Sequence, residues 1–176
     1  KLYYIGPMFR QERPQAGRLR QFHQFGAEAI GSLQPEVDAE IIAMTIQIYK
    51  ELSLAKYALK ISSVGCEKCR PHYKEILQNE LRKIATKLSP ESQRRIEENP
   101  MRVLDSKDEN DATLTANMPV ITDHLCAECA GHFESLKKYL TSFHIPYTVD
   151  GRLVRGLDYY TKTAFELTSA ELGSQD

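Results

Sequence analysis

The chain has 176 residues, 41% hydrophobic and 27% charged, with a net charge of −1. That length holds one ordinary domain, or a compact core with an insertion. No apolar run approaches the roughly 20 residues a membrane helix needs, so no membrane partner is expected, and the near-neutral charge argues against a surface coated with basic residues for nonspecific nucleic-acid binding.

The opening residues, KLYYIGPMFR, read as a strand rather than a secretory leader. They lack an initiator methionine, and the end, ELGSQD, is equally abrupt, so a piece of a longer polypeptide is expected. Residues 1–31 predict an antiparallel hairpin: LYYIGPMFRQE extended, RPQAGRL as the turn, RQFHQFGAEAIG extended again. Arg10, Arg13, Arg18 and Arg20 fall within eleven residues there, among Phe9, Phe22 and Phe25. Strand alternation puts Arg20, Phe22, Gln24, Gly26 and Glu28 on one face, and Met8, Arg10 and Glu12 on one face of the partner strand. Such a face makes a poor hydrophobic core and a plausible floor for a polar ligand. Arginine forks bind phosphate and stack on planar rings, so Arg10, Arg20 and Phe22 together suit a triphosphate and a purine, with Glu12 accepting from an exocyclic amine. The alternative is a solvated hairpin whose arginines pair with Glu12, Glu28 and Glu36. His23 alternates to the opposite face and is expected to be a core histidine.

Residues 35–53 predict a helix, with Pro35 in its first turn and Glu36, Asp38 and Glu40 near the positive end of its dipole. Val37, Ile41, Met44, Ile48 and Leu52 recur at helical spacing and are expected to bury against a sheet. YALKISSVG alternates as a strand. Residues 66–145 are mostly helical and charged, punctuated by Pro71, Pro90, Pro100 and Pro119, and read as a helical insertion domain. YTVDGRLVRGLDYYTKTAFELTS returns to strand character, with Gly151 and Gly156 at turns. The fold class expected is α+β: an antiparallel sheet with packed helices and a mostly helical insertion. Neither GxGxxG nor GxxxxGK[ST] occurs, so a nucleotide would be held by arginines rather than by a glycine-rich loop.

Four cysteines form two C-x-x-C pairs, Cys66 with Cys69 and Cys126 with Cys129. Without a secretory signal this spacing suggests metal before disulfides. Two such knuckles can close a tetrahedral Cys₄ zinc site, provided the fold spans the 56 residues between them. Four reduced thiols or a redox disulfide are the alternatives, and His72, His124 and His132 are near enough in sequence to replace a cysteine.

YYIGPMFRQERPQAGRLRQFHQFGAEAIG resembles motif 2 of class II aminoacyl-tRNA synthetases, specifically of the histidyl-tRNA synthetase family, and RLVRGLDYYTKTAFE resembles that family's histidine signature. The resemblance covers essentially the whole chain. It implies a catalytic-core fragment whose parent activates histidine with ATP and transfers it to tRNA(His), a homodimeric cytoplasmic enzyme using Mg²⁺ with ATP; the fragment alone is expected to be inactive. It implies catalytic roles for Arg10 and Arg155 at the α-phosphate. It implies ATP contacts from Arg10, Glu12, Arg18, Arg20 and Phe22, and histidine contacts from Gln24, Glu28, Arg155, Tyr159 and Tyr160. Of the two tyrosines only one can face the pocket, and the family pattern favours Tyr160. The implied division is 1–65 catalytic core, 66–145 insertion, 146–176 catalytic core with the signature. Zinc is not a general requirement of the family. A second reading is a noncatalytic synthetase paralogue serving as the regulatory subunit of ATP phosphoribosyltransferase; a third is a zinc-dependent nucleic-acid module. Arg82, Lys83, Arg94, Arg95, Lys137 and Lys138 are scattered over the insertion, and a solvated charged face accounts for them without a tRNA contact.

Overall fold

The computed structural model describes residues 1–15, 18–54, 56–154 and 159–169. Strands β1 (Leu2–Phe9) and β2 (Gln21–Glu28) form the expected antiparallel hairpin. Its register pairs Met8 with Phe22, Gly6 with Gln24, Tyr4 with Gly26 and Leu2 with Glu28. Paired residues project to the same side of an antiparallel ladder, so the anticipated Phe22–Gln24–Glu28 face exists. The hairpin is a sheet of its own, and Tyr3, Ile5 and Phe9 are more than 70% exposed. His23 does alternate away from the Phe22 face, and it lies exposed among the described residues rather than in a core.

Helix α1 (Pro35–Glu51) begins at its proline, carries Glu36 and Asp38 in its first turn and ends with Lys50 in its last, matching the dipole at both ends. The residues it buries are Ala39, Ile42 and Ile46. The expected stripe holds only in part: Val37, Ile41 and Ile48 are half-buried, whereas Met44 is exposed and Leu52 is 59% exposed. The helix is apolar on two sides, and helical periodicity fits either one. A later helix selects between them. That helix is α5 (Ala127–Ser142), whose Phe133, Leu136 and Leu140 pack with Ala39, Ile42 and Ile46 and with Leu59 and Ile61 of strand β3 (Ala58–Ser63).

Strand β3 is the centre of a second sheet. It pairs in parallel with the short β4 (Thr148–Val149) and antiparallel with β5 (Thr163–Thr168). Between β3 and α5 lie α2 (Arg70–Ile84), α3 (Pro90–Glu98), α4 (Glu109–Leu114) and 3-10 turns at Ala85–Lys87, Pro100–Val103 and Ile121–Asp123. They have a separate core of Tyr73, Leu77, Leu81, Leu88, Ile96, Met101, Val103, Leu104 and Ile121. Ser89 caps α3 by accepting from the Ser92 N–H, and also donates to buried Asp111, tying α3 to α4. The fold class is α+β, as expected, and among the described residues no helix is long and apolar enough to cross a membrane.

Candidate functional site

The hairpin brings most of the arginine-rich set together. Arg10 follows β1 directly, and its N–H donates to the Arg20 carbonyl at 2.9 Å, which continues the ladder past the strands. Its guanidinium lies 4.0 Å from the centroid of the Phe22 ring, a cation–π arrangement. Arg18 pairs with Glu12 at 2.7 Å, while Arg20 Nε donates to the Glu12 carbonyl at 3.4 Å. Gln24 Nε2 donates to the Tyr4 hydroxyl at 2.9 Å. Tyr4 reaches that position across Gly26, where a Cβ would stand 2.4 Å from the phenol ring. Glu28 is at the open end of the same face, exposed and opposite Leu2. The pairing of Arg18 with Glu12 is one the solvated-hairpin alternative anticipates; the stacking of Arg10 on Phe22 is not.

Tyr159 and Tyr160 stand on the approach to β5, with ring centroids 5.3 Å apart in edge contact. Tyr159 is 76% exposed, while Tyr160 turns inward against Val64, Leu153 and Ala164. Tyr160 lines a cavity of about 460 Å³ with Thr45 and Tyr49 of α1 and residues 163–167 of β5. This group and the hairpin group are on different sheets. Arg155, expected to join them at the α-phosphate, lies outside the described residues.

The two C-x-x-C pairs converge. Cys66 Sγ is 3.8 Å from both Cys69 Sγ and Cys126 Sγ, and all four sulfurs lie within 4.8 Å of one another. A tetrahedral ion with sulfur ligands at about 2.3 Å requires sulfurs about 3.8 Å apart, so the cluster has metal-site dimensions. A disulfide needs about 2 Å, and all four are free thiols. Two of them, Cys69 and Cys126, occupy the N-caps of α2 and α5. Burial opposes ionisation of Cys66, but the Cys69 and Lys68 N–H groups and the neighbouring thiols outweigh it and bring its pKa down to about 7. Burial pushes the Cys129 thiol strongly upward. Gly65 makes the approach feasible. Its φ is +66°, and a Cβ there would stand 2.9 Å from Cys69 Sγ. The three histidines near in sequence are outside the cluster: His124 stacks on Tyr73, His132 faces Asp38 at 3.5 Å, and His72 is exposed on α2.

Several residues that the sequence did not single out bind the parts together. Arg70, beside Cys69, donates to the carbonyls of Val64 at 3.0 Å, of Gly65 at 3.3 Å and of Tyr160. Lys162 exchanges backbone hydrogen bonds with Val64 and Gly65, both at 2.8 Å, and its ammonium pairs with Glu128 at 3.0 Å. Arg152 reaches into the helical region, donating to the Leu104 carbonyl at 3.2 Å and to Thr115 Oγ1 at 3.1 Å. The adjacency of Arg70 to a knuckle cysteine was the one available signal; the targets of Lys162 and Arg152 are distant in sequence and left none. Of the scattered basic residues, Arg82 pairs with Glu97, Lys83 with Glu80, Arg94 with Glu98, Arg95 with Glu91 and Lys137 with Glu134. These are solvated, self-neutralised faces.

By fold the chain is of the aminoacyl-tRNA synthetase class. It matches the apo histidyl-tRNA synthetase of S. aureus with a TM-score of 0.70 and 43% identity, over 94% of this chain and 37% of that one. The histidyl-tRNA synthetase family model matches residues 1–175, and the chain belongs to that family. It is 48% identical to the histidine–tRNA ligase of Dictyoglomus turgidum, and 53% identical to that of Solibacter usitatus, over all 176 residues in each case. Those alignments cover 43% and 42% of the two relatives, so the chain spans about two-fifths of their length. A Bacillus halodurans C protein described as an ATP phosphoribosyltransferase regulatory subunit/histidyl-tRNA synthetase matches 98% of the chain and 48% of its own length, with a TM-score of 0.60. At 21% identity that likeness is one of fold alone.

Proposed function

We propose that this chain is the central part of the catalytic core of a histidine–tRNA ligase, whose parent activates histidine with ATP and passes it to tRNA(His). The observation that carries the proposal is the Phe22 face of the hairpin. It assembles guanidinium groups, an aromatic ring, a carboxylate and an amide, and no glycine-rich phosphate loop exists to do the work instead. Relatives about 50% identical and named histidine–tRNA ligase support the same reading over the regulatory-subunit alternative.

In the proposed reaction the histidine carboxylate attacks the α-phosphorus of ATP and pyrophosphate leaves. A carboxyl group with a pKa of roughly 2 to 4 is already ionised at neutral pH, so no general base is needed. The protein's work is alignment and neutralisation of charge building on phosphorus. Arg10 and Arg155 serve the α-phosphate. Phe22 stacks the adenine and Glu12 accepts from its edge. Arg18 and Arg20 serve the nucleotide from the hairpin's far end. Gln24, Glu28 and Tyr160 receive histidine, with Arg155 near its carboxylate and Tyr159 beside Tyr160. Magnesium bound with the nucleotide would offset charge on its outer phosphates.

The same proposal takes 1–65 and 146–176 as catalytic core and 66–145 as the insertion, with α5 as the helix that returns to α1. It takes the parent as a cytoplasmic homodimer and the isolated chain as inactive. Zinc is proposed for Cys66, Cys69, Cys126 and Cys129, whose spacing and N-cap positions suit a thiolate-bound ion.

The test is ATP–pyrophosphate exchange by the full-length protein. Exchange that depends on histidine and on no other amino acid is expected, and Arg10→Ala should lower it at least a hundredfold. Exchange indifferent to histidine would overturn the assignment.

A further inference from the structure

The four-cysteine cluster is adjacent to a second structural element besides the helical region. Leaving β3, the chain runs Val64, Gly65, Cys66, and the backbone of those first two residues is where the tyrosine segment is fastened. Val64 N–H donates to the Lys162 carbonyl, and Lys162 N–H donates to the Gly65 carbonyl. Arg70, one residue past Cys69, ties Val64, Gly65 and the Tyr160 carbonyl to one guanidinium. The Lys162 side chain closes the loop by pairing with Glu128, which lies between Cys126 and Cys129 and also meets Lys68 at 3.7 Å. These hydrogen bonds and the ion pair on residues 160–162 thus end on residues within three positions of a cluster cysteine.

Lys162 holds φ of +58°, a left-handed conformation that a residue with a Cβ rarely adopts. Such a conformation persists only where the surroundings over-determine it. Charge supplies a further reason. Four thiolates around a divalent ion leave two net negative charges, and Lys68 and Lys162 are the ammonium groups facing Glu128 beside them.

We propose that a metal ion in the Cys66–Cys69–Cys126–Cys129 centre holds the Tyr160–Lys162 segment in place, so that the centre positions the amino-acid pocket as well as stapling the helical region. Arg70 and Lys162 are the positioning residues that join the two. The consequence for substrate rests on the reading above, in which Tyr160 receives histidine; the brace itself does not.

The experiment uses the full-length protein as purified, with zinc measured by mass spectrometry, then stripped by a chelator and restored with zinc alone. About one zinc per chain is expected. On stripping, amide hydrogen exchange at Val64 and Lys162 should speed at least tenfold and return on zinc addition, while the β1–β2 amides stay unchanged. The KM for histidine in pyrophosphate exchange should rise about tenfold, with the KM for ATP within twofold. Arg70→Ala should reproduce the histidine effect with zinc content unchanged, and Arg70→Lys should recover part of it. Protein that neither contains nor takes up zinc overturns the proposal, as does Lys162 exchange indifferent to zinc. If Lys162 loosens on stripping but zinc-loaded protein fails to bind histidine, the brace is supported and the histidine reading of Tyr160 is overturned.

Discussion

Gly65 concentrates two demands in one residue. The chain must turn through a positive φ directly after a buried strand, and the Cys69 sulfur must come close to the backbone at that point. A methyl group satisfies neither. Gly65→Ala would incur the left-handed penalty and push against both Cys69 Sγ and the Ile121 side chain, each 2.9 Å from the added carbon. On the zinc centre proposed above, the zinc-loaded variant is expected to give up its ion to a chromophoric chelator at a concentration at least tenfold lower than wild type does, with helix content by circular dichroism unchanged. Retention equal to wild type would show that the sulfurs do not depend on this approach. Gly26 is a gentler case: its missing Cβ admits the Tyr4 ring, but that ring is partly exposed, on the outer surface of the hairpin.

At the scale of elements, the chain divides its apolar residues between two cores. Leu77 on α2 is fully buried among the residues of the helical region, and Leu136 on α5 is fully buried against α1 and β3. Truncating either to alanine should cost about 2–5 kcal/mol. The two losses should read out differently. Leu77→Ala should raise hydrogen exchange chiefly in α2, α3 and the 3-10 turn at Pro100–Val103. Leu136→Ala should raise it in α1, α5 and β3. Identical exchange patterns would mean that the cores unfold as one unit. Helix α5 is the element on which this division turns. Its N-cap and first turn hold two of the cysteines, and its middle and end complete the core beneath the sheet.

Over the whole molecule, the buried titratable groups give stability a definite slope with pH. Burial holds the His132 imidazole below its ordinary range, and the Asp38 carboxylate at 3.5 Å recovers only part of that. In the unfolded chain this histidine takes up a proton near pH 6.5, which the folded chain resists, so stability falls as pH drops below about 6.5. Asp111 adds to the same trend at lower pH. Burial alone would raise its pKa, but the Ser89 and Ser106 hydroxyls and the Ser89 N–H favour the carboxylate, and its pKa lies below the ordinary value. Its contribution is therefore present above about pH 4 and is lost on further acidification. Chemical denaturation between pH 7 and pH 5 should show a falling midpoint for the wild type and a shallower slope for His132→Gln; parallel slopes would remove His132 from the effect.

Local pattern by itself determined the hairpin and which of its side chains share a face. Alternation across RLRQFHQFGAE places Arg20, Phe22, Gln24 and Glu28 together in any strand, whatever the rest of the chain does, and each C-x-x-C presents two sulfurs wherever it folds. Tertiary structure decided what depends on distant partners. It chose the Ala39–Ile42–Ile46 side of α1, because α5 and β3 arrive there and the opposite side is apolar as well. It brought the cysteine pairs together across 56 intervening residues and fastened Arg70, Arg152 and Lys162 to backbone that no spacing rule connects to them. A periodicity records which side chains share a face; only close packing of the whole chain settles which face meets which.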